Sequence, residues 1–185
     1  MVPLLETPRL QGYVVGLDAA RQLLAYESRN RASFASFSVT HQSSYYTLAS
    51  LQDVCEKQVS LYLKGRMLPL LFFAKEDPLH ILGTVNLNHI IWGASRSAKL
   101  GYSIDADHQR QGYGKEAVQA VVEYACKALH LHRLEAHIMS TNIPSIALVT
   151  SLGFACEGTC AGYLYVNGRW EDHLRYALLG DDRRP

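Results

Sequence analysis

Residues 100–118 read LGYSIDADHQRQGYGKEAV, and this stretch decides the fold. LGYSI ends a strand near Ile104. A helix starts at about Gly114, and its apolar face is Val118, Val121, Val122 and Ala125, spaced as one side of a helix requires. Between them lies Gln109-x-x-Gly112-x-Gly114. Glycine lets the backbone take a positive φ and come close to a ligand. Successive backbone N–H groups in such a turn form a concavity suited to an anion. The turn also opens a helix, so the positive end of the helix dipole points at the same place. Arg110 and Lys115 add mobile positive charge. Together these features suit a pyrophosphate. The spacing G-x-x-x-x-G-K-[ST] is missing, and no G-x-G-x-x-G follows the first strand, so neither common nucleotide signature fits.

Working outward toward the N-terminus, ILGTVNLNHII and LPLLFFAK flank a turn at Glu76-Asp77-Pro78 and read as a hairpin. Before them come a helix over about 50–64, stopped by Gly65, and a helix AARQLLAYESRN capped by Asp18. A first strand lies in TPRLQGYVVG. Residues 31–46 have no clear period and read as loop or short helix. Toward the C-terminus, HRLEAHIM is a strand. Asn142 and Pro144 open a helix, PSIALVTSL, that Gly153 closes. GYLYV and RWEDHLRYAL flank Asn167-Gly168, a strong hairpin signal. The order is strand, two helices, three strands, helix, strand, helix, two strands. It predicts an α/β fold with a mixed sheet of about seven strands and helices on both faces. The 185 residues fit one domain, 1–185, given roughly 100–200 residues per domain.

The formal net charge of +1 gives no whole-chain field to attract nucleic acid or an anionic membrane, so neither is an expected partner. The start, MVPLLETPRL, lacks the basic and apolar regions of a signal peptide. The apolar run at 68–74 falls far short of the about 20 residues that span a bilayer. Cys55, Cys126, Cys156 and Cys160 form no C-x-x-C pair and read as reduced thiols of a cytoplasmic protein. His130 and His132 stand at a helix end with no acid or Cys cluster near them, so no metal is expected. Asp172 and His173 are neighbours on a strand and point to opposite faces, which rules out a shared proton.

The same loop carries a resemblance. Gln109, Gly112 and Gly114 match the [QR]-x-x-G-x-[GA] of the GNAT superfamily of N-acetyltransferases. LGYSI before it, LHRLEAHIMSTNIPSIALVTSLGFACEG after it and GYLYVNGRWEDHLRYAL at the end resemble the branch with the ribosomal-protein-alanine N-acetyltransferases RimJ and RimL. The resemblance covers about 82–178. It implies a mostly antiparallel sheet whose central strands splay, with the pantetheine arm of acetyl-CoA in the gap.

On that resemblance, Ser103 and Ile104 make backbone contacts to the arm. Gln109, Arg110, Gln111, Gly112, Tyr113, Gly114 and Lys115 hold the pyrophosphate, and Asn142 bonds the arm, a role compatible with capping a helix. Ser145 lies close to the sulfur and gives the leaving thiolate a proton. A strand N–H near Ile104 stabilises the oxyanion. RimL-like relatives offer a Glu where this chain has Leu164. Glu135 is the replacement base by position, with His137 and His89 behind it. The implied reaction is direct transfer of an acetyl group from acetyl-CoA to a primary amine. A protein N-terminus is favoured over a small molecule such as an antibiotic, polyamine or toxin. The enzyme would be a monomer or homodimer. A non-catalytic acyl-CoA sensor and a nucleotide-binding protein are the competing classes.

Overall fold

LPLLFFA, the most apolar strand in the chain, lies in the middle of one half of the sheet and is buried on both sides, which explains its unbroken apolar run. Leu70 and Phe72 face one core, and Leu71 and Phe73 face another. The computed structural model describes residues 2–39 and 41–180. Its elements are β1 (Leu5–Glu6), β2 (Leu10–Val14), α1 (Ala20–Phe34), α2 (Leu48–Leu63), β3 (Leu68–Ala74), β4 (Asp77–Ile91), β5 (Ser97–Ile104), α3 (Tyr113–Lys127), β6 (Arg133–Met139), α4 (Ile143–Ser151), β7 (Ala155–Val166) and β8 (Arg169–Leu179). The strands form one sheet in the order β1-β2-β3-β4-β5-β6-β8-β7. Only β5 and β6 pair in parallel. α3 and α4 cover one face through Val118, Val121, Ala125 and Val149; α1 and α2 cover the other through Leu23, Tyr26, Leu51 and Cys55.

This is the expected mixed, mostly antiparallel α/β architecture, with eight strands where seven were expected. The extra strand, β1, lies just before TPRLQGYVVG. The chain turns before Leu10, with the Thr7 N–H bonded to the Leu10 carbonyl at 3.0 Å, and Leu5 and Glu6 pair back onto Gly12 and Gln11. Asp18 does not cap α1: it lies in a short 3-10 turn, Leu17–Ala19, that leads into the helix. α1 then runs on to Phe34, so part of the stretch left without a period is helical. The hairpin turn falls at Lys75 and Glu76, with Asp77 and Pro78 already in β4, and β7 begins at Ala155, ahead of GYLYV; the other local signals hold. Asn142 Oδ1 accepts from the Ser145 N–H at 3.2 Å at the start of α4, and Gly153 closes it at φ +89°. Asn167 and Gly168, at φ +49° and +83°, make the tight turn between β7 and β8.

β5 and β6 register only at Ser97↔Arg133, Ala98↔Leu134 and Lys99↔Glu135. Beyond Lys99, β5 stays with β4 as far as Gly83↔Ile104, and β6 stays with β8 as far as Met139↔His173. The two halves of the sheet therefore part, and the gap opens toward the glycine loop.

Candidate active site

In the gap, the backbone of β5 faces outward in a fixed order. Asp105 N–H donates to the Leu82 carbonyl at 2.9 Å, so Asp105 and Leu82 form a hydrogen-bonded antiparallel pair. By alternation Ser103 also bonds toward β4, and the N–H and C=O of Tyr102 and Ile104 point into the gap. The Ile104 carbonyl is met by Gln109 Nε2 at 3.2 Å. That leaves the Ile104 N–H as a donor aimed into the gap. The backbone contact expected of Ser103 is therefore not available, because its N–H and C=O serve β4, and its side chain is turned toward α1. Its Oγ shares hydrogen bonds with Tyr26 Oη at 2.9 Å and Thr84 Oγ1 at 3.0 Å.

The loop after β5 is built as its glycines foretold. Arg110 and Gly112 adopt φ of +60° and +84°, and Gly112 caps α3. Glu116 N–H is bonded to the Gly112 carbonyl at 3.1 Å. The N–H groups of Tyr113, Gly114 and Lys115 come before it, in the first turn, where a helix offers no acceptor of its own. A Cβ on Gly114 would lie 3.2 Å from Ile104 and from Leu148, so a side chain there would press on both β5 and α4.

A cavity of about 490 Å³ runs along this loop and the gap. Tyr102, Ser103, Ile104, Gln109, Arg110, Gly112, Gly114, Lys115, Asn142 and Ser145 line it. Two helix N-termini, those of α3 and α4, therefore converge on one space, and their dipoles favour a polyanionic ligand there. Ser145 Oγ lies 2.6 Å from Tyr102 Oη, and the Tyr102 hydroxyl also reaches the Ser145 carbonyl at 3.1 Å. Burial pushes the Tyr102 phenol up to about 12, against a smaller lowering by Ser145.

The acetyltransferase (GNAT) domain model matches residues 16–155. The chain belongs to this family. Among GNAT proteins it is 37% identical to the probable N-acetyltransferase YjcK of Bacillus subtilis (strain 168), over 88% of this chain and 90% of that protein. It is 36% identical to the [ribosomal protein uS5]-alanine N-acetyltransferase of Escherichia coli (strain K12), over 59% of this chain and 56% of that one. The solved structure of the ribosomal-protein-S5-alanine acetyltransferase from Vibrio fischeri superposes with a TM-score of 0.91 at 28% identity, covering 98% of both chains. The chain is a GNAT N-acetyltransferase with RimJ/RimL-like relatives.

Three of the residues singled out from the sequence lie away from the wall of the GNAT cavity. Gln111 is turned outward, with its carbonyl on Arg9 Nη1 at 3.0 Å and its Nε2 on the Asp107 carbonyl at 3.1 Å. Tyr113 packs under Arg9, whose guanidinium sits 4.2 Å from the ring centre. Glu135 sits at the last position of β6 that pairs with β5, and its Oε1 accepts from Arg133 Nε at 2.7 Å. Glu135 thus spends an oxygen on Arg133 and lies off the cavity wall, so the geometry lends the replacement base no support. His137, two residues on, lies in the parted region of β6. Its ring stacks on Tyr163 at 4.4 Å, and Tyr163 Oη accepts from Lys99 Nζ at 3.0 Å. Burial first, then the charge on Lys99, holds His137 below its ordinary value; Glu135 pulls the other way.

Other residues of the site escaped the sequence reading. Tyr102 alternates with Ser103 on β5, so Ser103 faces α1 while Tyr102 faces α4. The alternation was visible in LGYSI, but its partner was not. Ser33, Phe34, Phe37 and Ser38 also line the cavity, from the stretch that carried no period. Two clamps, one buried and one half-buried, set the loop's position. Asp105, 2% exposed, accepts from Arg29 Nε, from Asn30 Nδ2 at 3.0 Å and from Asp107 N–H at 3.1 Å. Arg29 also donates to the Ile81 carbonyl, so α1 is tied to both β4 and the end of β5. At the start of α3, Glu116 accepts from Thr7 Oγ1 at 2.6 Å, Arg9 N–H at 2.9 Å and Arg9 Nε at 2.7 Å.

Proposed function

We propose that this N-acetyltransferase uses acetyl-CoA and acetylates the α-amine of a protein N-terminus, acting in the cytoplasm as one catalytic domain over residues 1–185. The observation that carries the reading is the single cavity joining the glycine loop, the parted segment of β5 and Ser145. The residues fit the co-substrate in size and chemistry. The N–H groups of Tyr113, Gly114 and Lys115, with the side chains of Arg110 and Lys115, suit its pyrophosphate. Asn142 spends Oδ1 on capping α4 and keeps Nδ2 for the arm. The Ile104 N–H is aimed where an oxyanion would grow. Ser145 Oγ is the proton donor for the departing sulfur. The bound thioester supplies an activated acetyl group; the chain supplies position, donors and a proton.

With the co-substrate filling the α3–α4 side of the gap, the amine must arrive from the other face of the sheet. By alternation that face presents Lys99, His137, Arg175 and His173. Its carboxylates are already engaged, Glu135 by Arg133 at 2.7 Å, and Glu157 by both Arg133 and Arg175. A polyamine would meet Lys99 and find no free carboxylate in that group. A single α-amine on an otherwise neutral or acidic peptide suits the face better, in keeping with the acceptors named for the RimJ-like relatives. The test is calorimetry with acetyl-CoA and ATP, then mass spectrometry of a panel of peptides, spermidine and lysine peptides. Acetyl-CoA binding with product on peptide α-amines is the expected result. Binding of ATP but not acetyl-CoA overturns the co-substrate, product only on spermidine or lysine overturns the acceptor, and acetyl-CoA binding without any product favours a sensor.

A further inference from the structure

Tyr102 carries a cavity hydroxyl that no part of the reaction described so far employs, and it alone among the unused ones touches Ser145. It shares that wall with Ser145, 43 residues away in sequence, at an Oη–Oγ separation of 2.6 Å. The short separation is set by two elements held independently. Tyr102 sits on the segment of β5 that still pairs with β4, at Val85↔Tyr102. Ser145 sits in the first turn of α4, fixed there by the Asn142 cap. The phenol reaches two oxygens of Ser145, the carbonyl at 3.1 Å and Oγ at 2.6 Å. The carbonyl only accepts, whereas the serine hydroxyl both accepts and donates.

The pair thus has two proton arrangements. With the Tyr102 proton on the carbonyl, the Ser145 proton is directed at Tyr102 Oη and is unavailable to a ligand. With the Tyr102 proton on Oγ, the Ser145 proton is released into the cavity. We propose that Tyr102 is the positioning residue for acid assistance by Ser145, donating to Oγ so that the serine proton is presented to the departing sulfur. The inference rests on the acyl-transfer reading above.

The step balances as follows. The carbon–sulfur bond breaks with its electron pair on sulfur. The Ser145 Oγ–H bond breaks, and a sulfur–hydrogen bond forms. The hydrogen bond from Tyr102 strengthens as charge grows on Oγ, as one to an ionised acceptor does. The proton shed by the amine nitrogen returns to Oγ through solvent. Tyr102 need not give up its own proton. With its phenol pushed up to about 12 by burial, it remains a donor at every pH at which the amine reacts.

The experiment is a double-mutant cycle on single-turnover acetyl transfer, with Tyr102→Phe, Ser145→Ala and the double variant, beside acetyl-CoA Kd by calorimetry and thermal melts. Phe keeps the ring that packs in the core, so the fold should stand. Tyr102→Phe is expected to slow transfer on the order of tenfold to a hundredfold with Kd within about twofold of wild type, as for a lost transition-state donor. The double variant is expected to be no slower than Ser145→Ala, because Tyr102 acts through that hydroxyl. Full-speed transfer by Tyr102→Phe while Ser145→Ala is slow overturns this inference and leaves Ser145 in place. Losses that multiply in the double variant overturn it as well, since Tyr102 would then act apart from Ser145. Full-speed transfer by Ser145→Ala removes Ser145 from the reaction and this inference with it.

Discussion

At Gly112 the backbone sits at φ +84°, and an added Cβ would lie 3.2 Å from Arg9 Nη2. A left-handed φ costs an L residue roughly 1–2 kcal/mol, and here relief would mean tilting the first turn of α3. Gly112→Ala is therefore expected to weaken acetyl-CoA binding at least about tenfold, because it displaces the N–H groups proposed above to hold the pyrophosphate. Calorimetry reads the change directly, and unchanged Kd would remove the loop from the site. The need for glycine here was legible in the sequence, because a helix opening after Gln-x-x-Gly-x-Gly is a local pattern. What Gly112 packs against was not. Arg9 and Glu116, which brace the loop, are 107 positions apart, and no window on the sequence brings them together.

Among the elements, the end of β5 and the start of α3 are held by carboxylates rather than by apolar packing alone. Burial raises the Asp105 carboxyl, but hydrogen bonds from Asn30, Arg29 and His108 outweigh it and hold the group below its ordinary value. Burial likewise raises Glu116, and its bonds to Thr7 and Arg9 outweigh that. A depressed folded-state pKa contributes stability above the ordinary carboxylate range, and this is lost as pH falls through the folded value. The thermal midpoint should therefore drop as pH is lowered from about 4.5. Asp105→Asn should melt lower at pH 7, since it removes the charge that pairs with Arg29 and turns one of two acceptor oxygens into a donor, and should show a shallower acid decline. Melts from pH 7 to pH 3 test both. An equally steep decline in the variant would take Asp105 out of the linkage. The α1 contribution to this clamp also explains why residues 31–46 resisted reading. Within that stretch, the Ala35 carbonyl accepts from Asn167 Nδ2 at 2.8 Å, a partner from the distant β7–β8 turn.

For the molecule as a whole, the proposed function has the two faces of the parted sheet divide the labour, co-substrate on the α3–α4 side and amine on the other. On the resemblance, Leu164 replaces a carboxylate of RimL-like relatives, and Glu135 is bonded to Arg133; under the proposed function the rate should therefore follow the neutral fraction of the amine. An α-amine, with pKa near 7.7–8.0, and a lysine, near 10.4, differ by about 2.5 units, a factor on the order of 10² in neutral form at pH 7. A peptide with a free α-amine and no lysine should thus exceed its N-terminally blocked, lysine-containing counterpart by about that factor in kcat/KM. From pH 6 to 9 the first profile should flatten near 8 while the second keeps climbing. Equal rates for the two peptides, with a large loss in Glu135→Gln, would restore Glu135 as the base and end the preference for α-amines.

The sequence by itself determined the glycine loop, the helix it opens, the caps at Asn142 and Gly153, the β7–β8 turn and the family. Each of these depends on backbone conformations set by near neighbours, or on an ordered series of such motifs. Tertiary structure alone decided which side chains share the cavity. It turned Gln111 and Tyr113 toward Arg9, spent Glu135 on Arg133, added Ser33 and Phe37 to the wall and set Tyr102 against Ser145. The physical reason is that strand alternation fixes which way a residue points, but the atom it meets is supplied by a helix or strand folded back from elsewhere in the chain.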